Sequence, residues 1–313
     1  MVPGNKPDGQ LLRRAAGCLA GVAVGDALGG PLEGYDTEQI ATQFVQLKEM
    51  MGGGYKGLAP GDTSDDTAHT RIMAESIAAC GRLNPSDLAQ RLADWYRYDG
   101  FGIGHHTESV LLRISEGEDW EQASLEVQAA NPESAGNGSL MRCSPVALLR
   151  HNEPELLIEE SRLSSRVTHP HSFCQWSCVF ADLLLARLLT GEDPSAAFDA
   201  VFAYCSDRKD FPLTVLERAN RARSPRAGES LNPSGYVLDS LECALWAFLN
   251  HRSFEQTLVA AVNLGGDADT IGSIAGALAG TAYGLHAIPG RWLVHVSGWP
   301  QLQDLASEII KLA

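Results

Sequence analysis

GCLAGVAVGDALGG (residues 17–30) and NLGGDADTIGSIAGALAGTAYG (residues 263–284) decide the fold. In the first stretch glycine recurs at 17, 21, 25 and 29, and in the second at 272, 276, 280 and 284. Positions four apart stack on one face of a helix, so each stretch predicts a helix with a bare ridge. A mid-helix glycine costs roughly 1 kcal/mol against alanine, and close approach by another helix would offset that cost. Two glycine-ridged central helices are therefore expected, in contact with one another. The competing reading makes these glycines loop breakers, but the apolar filling between them argues against it. Residues 271–288 carry no Asp, Glu, Lys or Arg and match a short membrane span, roughly 17–25 residues. Their Gly, Ala, Ser and Thr content, with His286, favours a buried helix.

The rest of the chain reads as helix too. Apolar residues recur at helical spacing over 83–98, 154–166, 173–189 and 239–250, and alternating β-branched runs are nearly absent. Asn84-Pro85 marks one helix start, and Ser253 with Gln256 marks another as a capping box. The expected architecture is all-α and compact, one domain over 11–313, preceded by a flexible arm at 1–10. The polar stretch 207–234 reads as a surface loop. No tandem repeat is evident.

Charge narrows the partners. Lys and Arg number 24 and Asp and Glu 39, for a net charge of −15. That balance disfavours a nucleic-acid backbone, which needs clustered cations. The seven cysteines are scattered and odd in number, unlike a disulfide framework. The start, MVPGNKPDGQLLRR, has no basic segment leading into an apolar one, so a cytoplasmic location without a membrane association is expected.

Two acidic clusters share one design. GDTSDDT brings Asp62, Thr63, Ser64, Asp65, Asp66 and Thr67 ahead of a helical pattern, and DADT brings Asp267, Asp269 and Thr270 ahead of the second ridge. Such residues cap helix N-termini, but one cap suffices and each cluster holds several. Neighbouring carboxylates repel, and a shared cation relieves them. Hard oxygen ligands suit Mg²⁺, Mn²⁺ or Ca²⁺, although neither cluster fits an EF-hand loop. SAGNGSLMR, with Asn137, Gly138 and Ser139, reads as a tight loop entering a helix and offering amides to a phosphate, or as an ordinary turn. DGFGIGHHT spaces Gly100, Gly102 and Gly104 so that backbone can lie flat on a ligand, and an ordinary turn remains open there as well. GGGYKG at 52–57 matches a dinucleotide fingerprint in form but lacks the strand before it and the helix after it. His169, His171, Cys174 and Cys178 match no standard zinc spacing. Neither a GxSxG elbow nor a Walker A motif occurs.

Taken in order along most of the chain, these motifs resemble the ADP-ribosylglycohydrolase family. The resemblance implies an all-helical fold with two Mg²⁺ or Mn²⁺ ions that removes ADP-ribose from modified protein side chains. It implies Ser64, Asp65, Asp66, Asp267, Asp269 and Thr270 as metal ligands. It also implies Glu33, in GGPLEG, as an acidic residue near the scissile bond. The glycines of DGFGIG and the GNGS loop would wrap the diphosphate, and His169 would line the pocket. The match is weaker after Glu33 and over residues 104–107, where substrate choice is expected to lie.

On that reading the ions anchor ribose hydroxyls and activate a water, while Glu33 or Asp66 assists proton transfer. Cleavage would pass through an oxocarbenium-like state that carboxylates stabilise. An ADP-ribosylated protein is the expected substrate and ADP-ribose the product. Arginine is favoured over serine as the modified residue, partly because an acidic site attracts a guanidinium. Two alternatives are an ADP-ribose sensor without turnover, and a protein that blocks an ADP-ribosyltransferase partner.

Overall fold

The computed structural model describes residues 8–313. Among them are sixteen α-helices, three short 3₁₀ turns and no strand, as expected for an all-α domain. The arm expected at 1–10 lies largely outside the described residues. Gly9 and Gln10 already belong to the first helix, Gly9–Gly29, whose N-terminus is capped by the Asp8 side chain.

The two ridges meet. The first helix runs antiparallel to the Ala268–Tyr283 helix, and their glycines face each other in register. A Cβ built on Gly17 would fall 2.2 Å from the Gly280 carbonyl oxygen, one on Gly21 would fall 2.1 Å from that of Gly276, and one on Gly25 would fall 2.0 Å from that of Gly272. No side chain fits between these backbones, which is why the helix-breaking reading fails. Both helices are buried for most of their length. Two helical segments, Gly9–Leu32 and Ser172–Leu189, are long and apolar enough to span a bilayer, and the core covers 100% and 78% of their apolar windows.

The other predicted helices form with small shifts, as Pro85–Tyr98, Pro154–Arg166, Ser172–Leu189 and Val237–Leu249. Asn84 caps the first of these through the amide of Asp87. At Ser253 the hydroxyl accepts from the Gln256 amide, but the Gln256 side chain reaches Arg252 instead of Ser253, so the box is offset by one residue. The loop expected at 207–234 is a correction. It holds the Leu213–Arg221 helix, whose Val215, Leu216 and Ala219 bury one face in the core, and a 3₁₀ turn, Pro225–Ser230.

Candidate active site

The glycine contact brings the carboxylates together. Asp26 follows Gly25 on the first helix, and Asp269 lies in the first turn of its antiparallel partner, beside Gly29. The Asp65–Cys80 helix begins against both. Its N-cap residue Ser64 makes no capping bond with its own side chain, and neither does Asp267 at the start of the Ala268–Tyr283 helix. Ordinary capping therefore does not account for either cluster.

Asp26 supplies the cap from outside. Its carboxylate accepts from the Ser64 amide at 3.0 and 2.9 Å and from the Ser64 hydroxyl at 2.9 Å. It also accepts from the amide and hydroxyl of Thr67, at 3.1 and 2.6 Å. Five donor contacts on a fully buried carboxylate lock the turn that presents Asp65 and Asp66. Sequence reasoning missed this residue. A lone Asp in an apolar helix was its signal, because such a group must find partners.

Two groups of acidic oxygens converge, each within 4.8 Å: Asp26, Asp66 and Asp269, and Glu33, Asp267 and Asp269. Asp269 belongs to both. Asp66 Oδ2 accepts from the hydroxyls of Ser64 and Thr270, each at 3.3 Å, while its Oδ1 is buried without a partner. Asp267 accepts from Asn137 Nδ2 at 2.6 Å, so the GNGS loop orients a carboxylate of the second cluster. Burial is the main force raising the pKa values here, reinforced by neighbouring negative charges. Asp26 rises to about 6, Asp65 and Glu33 to about 7, and Asp66 and Asp267 well above the usual carboxylate range. Crowded acids that resist ionisation, an orphaned oxygen on Asp66 and an all-oxygen donor set together fit a hard divalent cation.

Above this floor opens a cleft of about 600 Å³, within the usual range for small-molecule sites of ~300–1,000 Å³. Among the residues expected in the site, Glu33, Asp65, Gly102, Gly104, Asn137, Gly138, His169, Asp267, Asp269 and Thr270 line it. Ser64 and Asp66 lie buried just beneath. Gly100 and Ser139 are not among the residues lining the cleft. Gly100 turns the chain after the Pro85–Tyr98 helix against Tyr96, and the Ser139 hydroxyl is buried behind the loop with Ser165. Residues 104–107, where the resemblance weakens, all line the wall. So do Pro233, Ser234 and Gly235, from the end of the segment read as surface loop.

The glycine wall is held from behind. Arg142 is fully buried, donates to the Gly138 carbonyl at 2.8 Å and to the Thr168 hydroxyl at 2.7 Å, and meets no carboxylate among the described residues. His169 lies against Gly136 and Gly138, bonds Thr168 through Nδ1 and packs on the His106 ring at 4.8 Å. Burial, helped by His106 and Arg142, keeps His169 well below the usual histidine pKa and therefore neutral at pH 7. At the rim, Glu33 accepts from the Tyr55 hydroxyl at 2.9 Å and pairs with Lys56. Both partners come from GGGYKG, which is a tight turn closed by reciprocal Gly53–Leu58 backbone bonds and makes no dinucleotide loop.

The cleft thus combines two convergent carboxylate groups that could hold a metal with a glycine-lined wall and an acidic rim. The chain belongs to the ADP-ribosylglycohydrolase family, whose model matches residues 7–313. It is 30% identical over 315 residues to the ADP-ribosylarginine hydrolase Tri1 of Serratia proteamaculans, covering 98% of this chain and 81% of that protein. It is 32% identical over 280 residues to the ADP-ribosyl-[dinitrogen reductase] glycohydrolase of Rhodospirillum rubrum, covering 90% and 89%. A solved structure described as an ADP-ribosylglycohydrolase-related protein complex superposes with a TM-score of 0.82 at 34% identity, covering 97% of this chain and 99% of that one.

Proposed function

We propose that this protein is a divalent-metal-dependent hydrolase that releases ADP-ribose from modified arginine side chains. The observation that carries the reading is the pair of carboxylate groups sharing Asp269 at the floor of the cleft. Ser64, Asp65, Asp66, Asp267, Asp269 and Thr270 are assigned as ligands for two Mg²⁺ or Mn²⁺ ions, with Asp26 orienting the first three. Bound ions at this position supply Lewis acidity and hold ribose hydroxyls.

The remaining roles fall to the chain itself. Proton transfer is assigned to Glu33 in preference to Asp66, because Glu33 lines the cleft and Asp66 is buried beneath it. A carboxyl titrating at about 7 exchanges a proton readily near neutral pH. The diphosphate is assigned to the wall of Gly102, Gly104, Asn137 and Gly138. The unpaired buried charge of Arg142 behind Gly138 favours an anion in front of it. The arginine assignment draws on the similarity to the ADP-ribosylarginine hydrolase of Serratia proteamaculans. It also draws on the rim, where Glu33 already holds a cation flanked by Tyr55 and Phe101. A guanidinium leaving group gains from those partners, and a serine hydroxyl does not.

The test is a side-by-side time course of ADP-ribose release from ADP-ribosyl-arginine and ADP-ribosyl-serine peptides under Mg²⁺. Faster release from arginine is expected. Faster release from serine would overturn the arginine assignment and keep the hydrolase. Tight ADP-ribose binding with release from neither would make the protein a sensor.

A further inference from the structure

Lys56 is out of character for a lysine. Its side chain is only 5% exposed, and the ammonium lies 2.5 Å from Glu33 Oε2 and 3.1 Å from Asp269 Oδ2. Glu33 and Asp269 are two of the three acids in the second convergent group. A divalent cation binds such oxygens at roughly 2.0–2.6 Å, and the ammonium already holds one oxygen of each of these two carboxylates. Two like charges would then sit within a few ångströms of each other around Asp269. An ammonium on Glu33 Oε2 and Asp269 Oδ2 repels a divalent cation held by the same two carboxylates and competes with it for their charge.

The chain around Lys56 is built to let the side chain move. The residue stands at the tip of the Gly53–Leu58 turn, between Gly54 and Gly57, and its nitrogen lies 5.7 and 5.9 Å from the ring centres of Tyr55 and Phe101. Lys56 lines both the main cleft and a second cavity of about 370 Å³ that also has Phe101, Asp62, Thr63 and Ser297 in its wall. Asp62 brings a carboxylate to that side, one oxygen of which accepts from the Ala59 amide at 2.8 Å.

We propose that Lys56 is a built-in competitor for the cation site: its ammonium fills the Glu33–Asp269 position in the resting protein and withdraws, toward the second cavity, when a divalent cation is held there. The inference rests on the metal-site reading above. It makes apparent metal affinity scale with the fraction of molecules whose lysine is withdrawn.

The experiment is a calorimetric titration of Mn²⁺ into the chelator-stripped full chain, as wild type, Lys56→Met and Lys56→Arg. If one molecule in ten has the lysine withdrawn at rest, Lys56→Met binds Mn²⁺ about tenfold more tightly than wild type. Lys56→Arg keeps the charge and stays within about threefold of wild type. A crystal structure of the Mn²⁺-loaded wild type should have Lys56 Nζ detached from Asp269. Equal or weaker Mn²⁺ binding by Lys56→Met overturns the proposal and leaves the metal site standing, as does a loaded structure in which the lysine still bridges Glu33 and Asp269. No Mn²⁺ bound by any of the three overturns both readings.

Discussion

Gly21→Ala tests whether the glycine contact builds the site. A Cβ at Gly21 falls 2.1 Å from the Gly276 carbonyl oxygen, and ordinary contact begins near 3.4 Å. The first helix and its partner must therefore separate locally by about 1.3 Å, because the obstacle is backbone and has no rotamer to adopt. Overpacking of this kind costs about 3 kcal/mol at the upper end, and alanine returns about 1 kcal/mol through helix propensity. The net loss is about 2 kcal/mol, or a fall of about 3 °C in Tm for a chain of this size. Gly9→Ala is the control in the same helix, since its Cβ meets only the end of the Arg13 side chain at 3.8 Å. That variant should be neutral or slightly stabilised. Separation also draws Asp26 away from Asp269, so Mn²⁺ affinity measured by calorimetry should fall by at least about tenfold. A Gly21→Ala protein that melts no lower than wild type and binds Mn²⁺ equally well would refute the argument.

Exhaustive chelation should stop turnover while helix content by circular dichroism stays intact, and Asp267→Asn should lower Mn²⁺ affinity far more than helicity; full activity without metal would contradict the assignment. Gly102→Val, whose Cβ would lie 2.7 Å from Asp65 Oδ1 at a φ of +87°, should weaken ADP-ribose binding in calorimetry by about tenfold or more. Unchanged ADP-ribose affinity would remove Gly102 from the ligand wall. Asp182 is buried away from the cleft and accepts from the Ser161 hydroxyl at 2.6 Å, and burial lifts its pKa to about 8. The folded state therefore keeps a proton that the unfolded state loses near pH 4, and stability is lost as pH rises from there to about 8, by up to about 1.4 kcal/mol per pH unit. Asp182→Asn keeps an acceptor for Ser161 and removes this dependence, so its Tm advantage over wild type should widen from pH 5 to pH 8; parallel melting profiles would contradict that.

What was legible in the sequence was periodic or local. The ridges could be read because four-residue spacing is itself the geometry of a helix face. The acidic clusters could be read because their members adjoin one another. Asp26 was hidden for the opposite reason: its partners Ser64 and Thr67 lie 38 and 41 residues away, and no spacing rule spans that distance. Lys56 was hidden by its setting, since a lysine in a glycine-rich turn resembles a solvated one until Glu33 and Asp269 are seen to surround it. The Leu213–Arg221 helix had a readable signal in Val215, Leu216 and Ala219, but the Arg- and Pro-rich flank outweighed it. Ser139 and Gly100 belong to the motifs but stand off the cleft lining, because motif membership says nothing about which way a side chain or a turn faces.

The helix pairing also sets an order of events during synthesis. The first helix is complete at Gly29, yet the helix that covers its ridge begins at Ala268. At ~5–20 residues per second, the ribosome takes from about ten seconds to the better part of a minute to supply that partner. Throughout this interval a long helical segment of mean hydropathy 1.3 stands without its central contact, with its glycine face bare. The emerging N-terminal segment therefore exposes its apolar ridge until residue 268 has been made, and any chain truncated before that point exposes it permanently.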